Sequence, residues 1–507
     1  MSQADSNAYD WFVARHLREG RGRRMASADP WRSLTYGELD AAAGRFAAGL
    51  AAAGIERERR IALVMLDTID FPIAFWGALR AGVVPIPINT LLPADITGYI
   101  LQDSRAAALF VSAPLVETLK PAARRMSRIV VSQLDARPSD FGKFLSGNPP
   151  PVVECLPDEV AFWLYSSGST GAPKGVRHVH ASLKATADTY AANVLNLGPD
   201  DVVFSAAKLF FAYGLGNSMT FPMAVGASTV LLPDRPTPDA VLQVMKRYRP
   251  TLFAGVPTLY AALLAQSGLG AGAGSNRLKT CISAGEPLPE HVGQRWRDKV
   301  GVDILDGIGS TEMLHIFLSN RADDLRYGTT GKAVPGYELR IVDEAGGDTA
   351  DGEAGELVVR GPSAADGYWN QRDKSRRTFR GEWTHTGDTY TRDAQGYYRY
   401  CSRQDDMLKV GGIWVSPFEV EEALIAHPAV LEAAVVGQPD ADDLIKPKAY
   451  VVLQESAKDA DRAALSATLQ NEVKERIGVW KYPRWIEFVE TLPKTATGKI
   501  QRYKLRG

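Results

Sequence analysis

Three cysteines stand in 507 residues, and none belongs to a C-x-x-C pair. Cys155, Cys281 and Cys401 are far apart, which excludes a disulfide framework or a cysteine-rich metal centre and fits a reducing, cytoplasmic compartment. Net charge is nearly absent at −1, so no global field draws nucleic acid or a membrane surface. Long hydrophobic runs are missing too. The most apolar stretch, Phe71 to Ile88, is broken by Arg80, Pro85 and Pro87 and reads as a buried helix followed by a strand, not as a membrane span. The N-terminus lacks the apolar segment of a signal peptide, and no repeat of solenoid period appears.

What is there begins with a 45% hydrophobic composition, enough for real cores in a chain long enough for two or more domains. Thr35-Tyr-Gly-Glu38 is a capping box, with Leu39, Ala43, Phe46 and Leu50 on one helical face behind it. Strands are expected at Ile61–Leu66, Val83–Ile88 and Ala108–Ser112, with helices at Phe71–Leu79 and Asp95–Gln102 between them. That is the βαβ rhythm of a parallel sheet covered on both faces. A second run predicts strands near Val202–Ala206, Thr229–Leu232, Thr251–Ala254, Thr280–Ser283 and Val302–Leu305; Gly268–Gly274 reads as a short flexible loop. After Pro335 the alternating segments Glu338–Val342 and Glu356–Arg360 predict antiparallel β structure. Ser416-Pro-Phe-Glu419 opens a last block with a helix to about His427. The fold class is therefore α/β: a large N-terminal domain of stacked α/β subdomains plus a β region, residues 1–402, a polar stretch at 403–406, and a small α+β domain over 407–507.

The motif around which this is arranged is Tyr165-Ser166-Ser167-Gly168-Ser169-Thr170-Gly171-Ala172-Pro173-Lys174-Gly175, directly after the apolar strand Val160–Leu164. Its glycines let backbone N–H groups turn inward, its hydroxyls donate, and Lys174 adds a positive charge, so the loop suits a polyphosphate. A Walker A loop is excluded: Pro173 stands where the second glycine belongs, and Gly175 where Ser or Thr is required. Gly307-Ile-Gly-Ser-Thr-Glu312 follows a strand expected to end at Leu305, the edge at which open α/β sheets bind ligands. Thr311 can donate to a phosphate oxygen, and Glu312 is a hard ligand for Mg²⁺. Trp383-Thr-His-Thr-Gly-Asp388 and Arg403, each placed on a turn, supply a carboxylate and a guanidinium. Leu492-Pro-Lys-Thr-Ala-Thr-Gly-Lys499 ends in a cation able to neutralise developing charge. Taken singly, each of the last three has an ordinary reading as a turn residue, a surface ion pair or a frayed basic terminus.

In combination and in this order the motifs resemble the adenylate-forming superfamily over essentially the whole chain. By that resemblance ATP, Mg²⁺ and coenzyme A are co-substrates and no cofactor is tightly bound. Ser167, Gly168, Thr170, Gly171 and Lys174 lie along the phosphates; Gly285, Glu286, Asp306 and Gly307 form the adenine region, although many relatives carry an aromatic residue where Asp306 stands. Thr311 and Glu312 serve the α-phosphate and the metal, Asp388 and Arg403 hold the ribose, Asp405 is the hinge, and Lys499 is the adenylation lysine. Rotation of the C-terminal domain would withdraw Lys499 and bring in a coenzyme A channel containing Lys409, Gly411 and Gly412. Acetylation of Lys499 by a lysine acetyltransferase would remove its charge. The oligomeric state, homodimer included, stays open.

The stretch Ala206–Asn217 is apolar and aromatic, with Ala212, Gly214 and Gly216 leaving room for a flat group; its only charge is Lys208. The aspartate that amino-acid-activating relatives offer is missing. The wording Lys-Leu-Phe-Phe-Ala-Tyr-Gly-Leu-Gly-Asn, with Glu-Met-Leu-His-Ile-Phe after Thr311, is closely similar to benzoate-CoA ligases. That similarity implies an aryl carboxylate among Ala212, Tyr213, Gly309, His315 and Ile316, joined first to AMP and then to coenzyme A. A ring-hydroxylated benzoate is the near alternative. A carrier-protein adenylation enzyme and an idle nucleotide-binding protein are the remoter ones.

Overall fold

The structure, a computed structural model, describes residues 7–135, 137–166, 172–403, 406–410, 413–441, 444–494 and 500–506. The capping box at Thr35 forms as read: Thr35 accepts from the Glu38 backbone N–H, the Glu38 carboxylate reaches back to Thr35, and the helix Tyr36–Ala52 follows. The first βαβ run becomes a four-stranded parallel sheet in the order Val84–Pro87, Arg60–Val64, Ala108–Ser112, Ile129–Ser132. Helices Asp70–Arg80 and Ala94–Asp103 connect its strands.

The second run builds a nine-stranded sheet, with Val202–Ser205, Leu252–Gly255, Thr280–Ser283 and Ile304–Gly309 parallel through its centre. The strand Met25–Ala28, not assigned from the sequence, joins this sheet beside Ser228–Val230 and pairs with Ser33–Thr35 on its other side. The start of the chain thus completes the sheet of the second run. The stretch Gly268–Gly274 is not wholly a loop: Ala271–Gly274 winds into a 3₁₀ turn with Ala273 buried.

The strand Val160–Ser166 is buried as expected, but its partner is the antiparallel strand Lys174–Val179, so the glycine-rich segment links a hairpin and not a βα unit. Phe162 and Leu164 face the main core, and Trp163 faces a second core with Val64, Ile86 and Leu109. Burial on both faces is why this run is continuously apolar. The short strand Gly367–Tyr368 pairs with the hairpin's other edge. The antiparallel region after Pro335 forms a five-stranded sheet of Glu338–Val342, Gly355–Arg360, Trp383–Arg392, Phe379–Arg380 and Tyr398–Arg403.

The last part of the chain has a core of its own, including Val415, Val420, Leu424, Val435, Val451, Leu469 and Val473. Its helix Pro417–Ile425 is capped by Ser416, which accepts from the Glu419 N–H at 3.1 Å, while the Glu419 carboxylate turns away to Lys481. On this helix Glu421 is buried and receives the Arg502 guanidinium at 2.7–3.1 Å and the Val435 N–H at 2.7 Å. The Arg502 contact ties the C-terminal segment to the helix. Arg506 of the same segment pairs with Asp406. All three cysteines are free and buried, and among the described residues no helix is long and apolar enough to cross a membrane.

Candidate active site

Lys174 opens its strand with a side chain that is 17% exposed. Burial lowers its ammonium below the ordinary lysine range, and the neighbouring Glu312 carboxylate pulls the other way. The Lys174 Nζ lies 3.6 Å from Glu312 Oε1 and donates to the Tyr368 hydroxyl at 3.1 Å. The Tyr368 hydroxyl in turn donates to Glu312 Oε1 at 2.8 Å. Tyr368 was not singled out in the sequence. It reaches the site only because its two-residue strand pairs with Val176 and Arg177 of the hairpin, and no local pattern signals that pairing.

Thr311 and Glu312 sit just past the end of a strand, as expected, but that strand ends later than Leu305. The strand Ile304–Gly309 runs on through the Gly307-Ile-Gly segment and pairs antiparallel with Ile316–Ser319, so the turn begins at Ser310. That turn is pinned at three successive carbonyls. Thr311 O accepts from His178 Nε2 at 2.8 Å, Glu312 O from Ala365 N at 2.8 Å, and Met313 O from Ser363 Oγ at 2.7 Å. Burial lowers the His178 imidazole to about 4, so it is neutral, and its proton is on Nε2 because a carbonyl only accepts. Leu314 is held at φ +64°, a conformation a leucine keeps only where its surroundings enforce it.

Asp388 and Arg403 are on strands, not turns. They face each other across the hairpin Trp383–Arg392/Tyr398–Arg403, with Arg403 Nη1 2.8 Å from Asp388 Oδ1. The Asp388 carboxylate, and then its hydrogen bond, raise the guanidinium further, and Glu312 contributes to the same field. The ribose candidates and the Lys174–Glu312 pair therefore share one electrostatic neighbourhood.

Asp306 is buried on its strand, and burial pushes its carboxyl well above the usual carboxylate range, against backbone N–H groups of Leu288 and Gly307. The structure thus brings Asp306 and Gly307 to the segment of Gly285 and Glu286. Gly285 turns there at φ +94°, which only glycine adopts readily.

The acid-pocket candidates also converge. The Tyr213 hydroxyl donates to Ile282 O at 3.1 Å, tying the helix Ala212–Leu215 to the end of a central strand. His315 Nε2 lies 3.3 Å from Tyr213 O. Its ring is enclosed by Phe221 at 4.4 Å, Tyr190 at 5.2 Å and Tyr213 at 5.7 Å. Burial lowers His315 to about 3, leaving a flat neutral ring. A Cβ on Gly309 would meet His315 O at 2.5 Å, and Ile316 Cγ2 packs over Gly307. The room expected at Gly214 and Gly216 is filled. A Cβ on Gly214 would lie 2.0 Å from Lys208 O, and one on Gly216 2.4 Å from His315 Cδ2, so these glycines permit close packing of helix, loop and ring. Gly216→Ala is accordingly expected to dislodge His315 and cost about 1–3 kcal/mol, read as a lower melting temperature and a higher KM for the acid. Lys208 points away from the pocket, donating to Asp234 O at 2.7 Å and to Leu232 O.

Ser167, Gly168, Thr170, Gly171, Asp405, Gly411, Gly412 and Lys499 lie outside the described residues, as does the side chain of Lys409, whose backbone is in the strand Leu408–Val410. The residues flanking the lysine segment, Lys494 and Ile500, form an antiparallel bridge.

Residues 13–369 match the AMP-binding enzyme family and residues 419–499 the AMP-binding enzyme C-terminal domain, and the chain belongs to that family. Within it, the chain is 52% identical over its whole length to a 4-hydroxybenzoate–CoA/benzoate–CoA ligase of Rhodopseudomonas palustris, covering 95% of that protein. It is 52% identical over 99% of its length to a benzoate–CoA ligase of Thauera aromatica, again covering 95%. The crystal structure of a benzoate CoA ligase from Burkholderia xenovorans superposes with a TM-score of 0.92 at 49% identity, over 99% of this chain and 100% of that one.

Proposed function

We propose that this chain is an ATP-dependent benzoate–CoA ligase of the acid–thiol, AMP-forming type. The observation that carries the reading is the cage of Tyr190, Tyr213, Phe221 and neutral His315, set on the same turn as Glu312. The His315 ring itself fills the cage, so a flat, uncharged aryl group would lie against this aromatic wall with its carboxylate toward the Lys174–Glu312 pair. The relatives of this length and identity are named as benzoate and hydroxybenzoate CoA ligases.

The carboxylate attacks the α-phosphorus of ATP, the bond to pyrophosphate breaks, and acyl-AMP forms. Coenzyme A thiol then attacks the acyl carbon and AMP leaves. The chain's part in the first half is to position the reactants and stabilise charge. Lys174 and Lys499 neutralise phosphoryl oxygens, Asp388 and Arg403 hold the ribose, and the Gly285–Glu286 segment with Asp306 and Gly307 receives the adenine. Glu312 fits Mg²⁺: it is a single hard carboxylate beside a lysine, and among the described residues no group of three or more His, Cys, Asp or Glu could hold a metal alone. Glu312 would hold such an ion when it arrives with ATP, and the ion would neutralise phosphate charge. Rotation about Asp405 exchanges Lys499 for the Lys409–Trp414 segment between the halves. Three buried free thiols agree with a reducing cytoplasm, and acetylation of Lys499 would act as an off-switch.

The test is incubation with ATP, Mg²⁺, coenzyme A and an acid panel of benzoate, 4-hydroxybenzoate, 2-aminobenzoate, cyclohexanecarboxylate, acetate and octanoate, with the thioester read by mass. Benzoyl-CoA should dominate; preference for acetate or octanoate overturns the aryl reading. The buried His315 Nδ1, which has no partner among the described residues, favours 4-hydroxybenzoate as a second substrate, since it can accept a hydrogen bond from a ring hydroxyl. Lys499→Ala should slow adenylation by about 10²-fold and spare thioester formation from supplied benzoyl-AMP. Equal loss in both halves would remove Lys499 from the first.

A further inference from the structure

We infer that Tyr368 is a positioning residue of the adenylation site, its hydroxyl acting as a spacer that keeps Lys174 and Glu312 from closing into a contact ion pair. The inference rests on the ATP-dependent reading above.

The proton accounting leaves one arrangement. The Lys174 ammonium can only donate, so the Tyr368 oxygen accepts from it at 3.1 Å. The single phenolic proton goes to Glu312 Oε1 at 2.8 Å, with Thr378 Oγ1 at 3.3 Å as a further neighbour. The Lys174-to-Glu312 separation is then 3.6 Å, longer than the roughly 2.7–2.9 Å of a direct charge-assisted hydrogen bond. Both side chains are only about one-sixth exposed, at 17% and 16%, where a closed pair is held far more tightly than in water. A nucleotide phosphate needs Lys174, and a metal arriving with it needs Glu312. A closed pair would have to open before either could bind. Bonded to both from the third corner of this triangle, the hydroxyl keeps both charges in reach while leaving protons on Lys174 and the second oxygen of Glu312 for the incoming ligand.

The spacer is rigidly mounted. Tyr368 is buried against Val176, Ala365 and Phe379. Its strand is paired to the hairpin, its own N–H donates to Ser375 Oγ at 3.0 Å, and the next N–H donates to Gly175 O at 2.8 Å. The ring also lies 4.2 Å from Lys174 Nζ, a contact that survives loss of the hydroxyl.

Tyr368→Phe isolates the hydroxyl. Calorimetric titration of the full chain with MgATP, no acid present, should show binding weakened by about tenfold to a hundredfold, as for a lost hydrogen bond to charged groups. The KM for the acid and thioester formation from supplied benzoyl-AMP should stay unchanged. In the Glu312→Gln background the same substitution should add nothing to the loss of MgATP affinity, because the pair it keeps open is gone. Unchanged MgATP affinity in Tyr368→Phe overturns the inference. So does a loss that simply adds to that of Glu312→Gln, which a purely structural role would give. A wild-type chain that binds MgATP yet forms no benzoyl thioester overturns the substrate reading alone.

Discussion

Glu312→Gln should slow pyrophosphate release from ATP and benzoate by about 10²–10³-fold, the size of one lost electrostatic stabiliser. Glutamine keeps the length of the side chain, and its carbonyl oxygen can still accept from Tyr368, so the turn should stand. What goes is the negative charge, and with it the proposed ligand for magnesium and the partner of Lys174 at 3.6 Å. Because the three carbonyl contacts of the turn come from His178, Ala365 and Ser363, none of them depends on the Glu312 side chain. The circular dichroism spectrum and melting temperature should therefore hold while ATP–pyrophosphate exchange collapses. Thioester formation from supplied benzoyl-AMP should fall far less. Equal loss in both halves, or a variant that no longer folds, would contradict this assignment of Glu312.

The second large effect lies in the C-terminal part. Glu421→Ala leaves the Arg502 guanidinium beside a buried site without its carboxylate and frees the Val435 N–H. Breaking such a pair by removing one member costs about 3–5 kcal/mol. The loss should appear in urea unfolding as a separate early transition of the part built on the core of Val420, Leu424, Val451 and Leu469. Hydrogen exchange should rise along the helix Pro417–Ile425. Glu421→Leu combined with Arg502→Leu should recover most of the stability, since neither charge is then stranded. A single variant with an unchanged transition would show the pair to be dispensable.

Much of this was legible in the chain because burial and spacing agree. The apolar runs at 60–64, 84–87, 108–112, 252–255 and 280–283 are strands within two residues of where their composition places them. The capping residues Thr35 and Ser416 start helices as their hydroxyls predict. What was not legible is pairing. Nothing in Met25–Ala28 says that it completes a sheet whose neighbour is two hundred residues away, because register is set by the partner's buried face and not by the strand alone. Asp388 and Arg403 could have been joined: Asp393-Ala-Gln-Gly396 between two alternating runs is a hairpin signal, and the hairpin puts the two opposite each other. Gly214 and Gly216 misled in the other direction. A missing Cβ reads equally as open space or as close contact, and only the coordinates of Lys208 and His315 decide. Tyr368 carried no signal, since its role depends on three segments that meet only in the fold.

The short turn bearing Glu312 and His315 has a bearing on how such a chain can drift toward new acids. The residue proposed to wall the acid and the residue proposed to face the phosphates are three apart on one strained, pinned piece of backbone. A larger or charged side chain at 315 has to be absorbed by the same peptide units that aim the carboxylate, so selection for a new acid there is opposed by selection for turnover. Tyr190 and Phe221 stand on helical backbone away from that turn. Variation in acid range is thereby channelled to the far wall of the cage, and a laboratory evolution starting from this chain should collect its tolerated changes at 190 and 221 before any at 315.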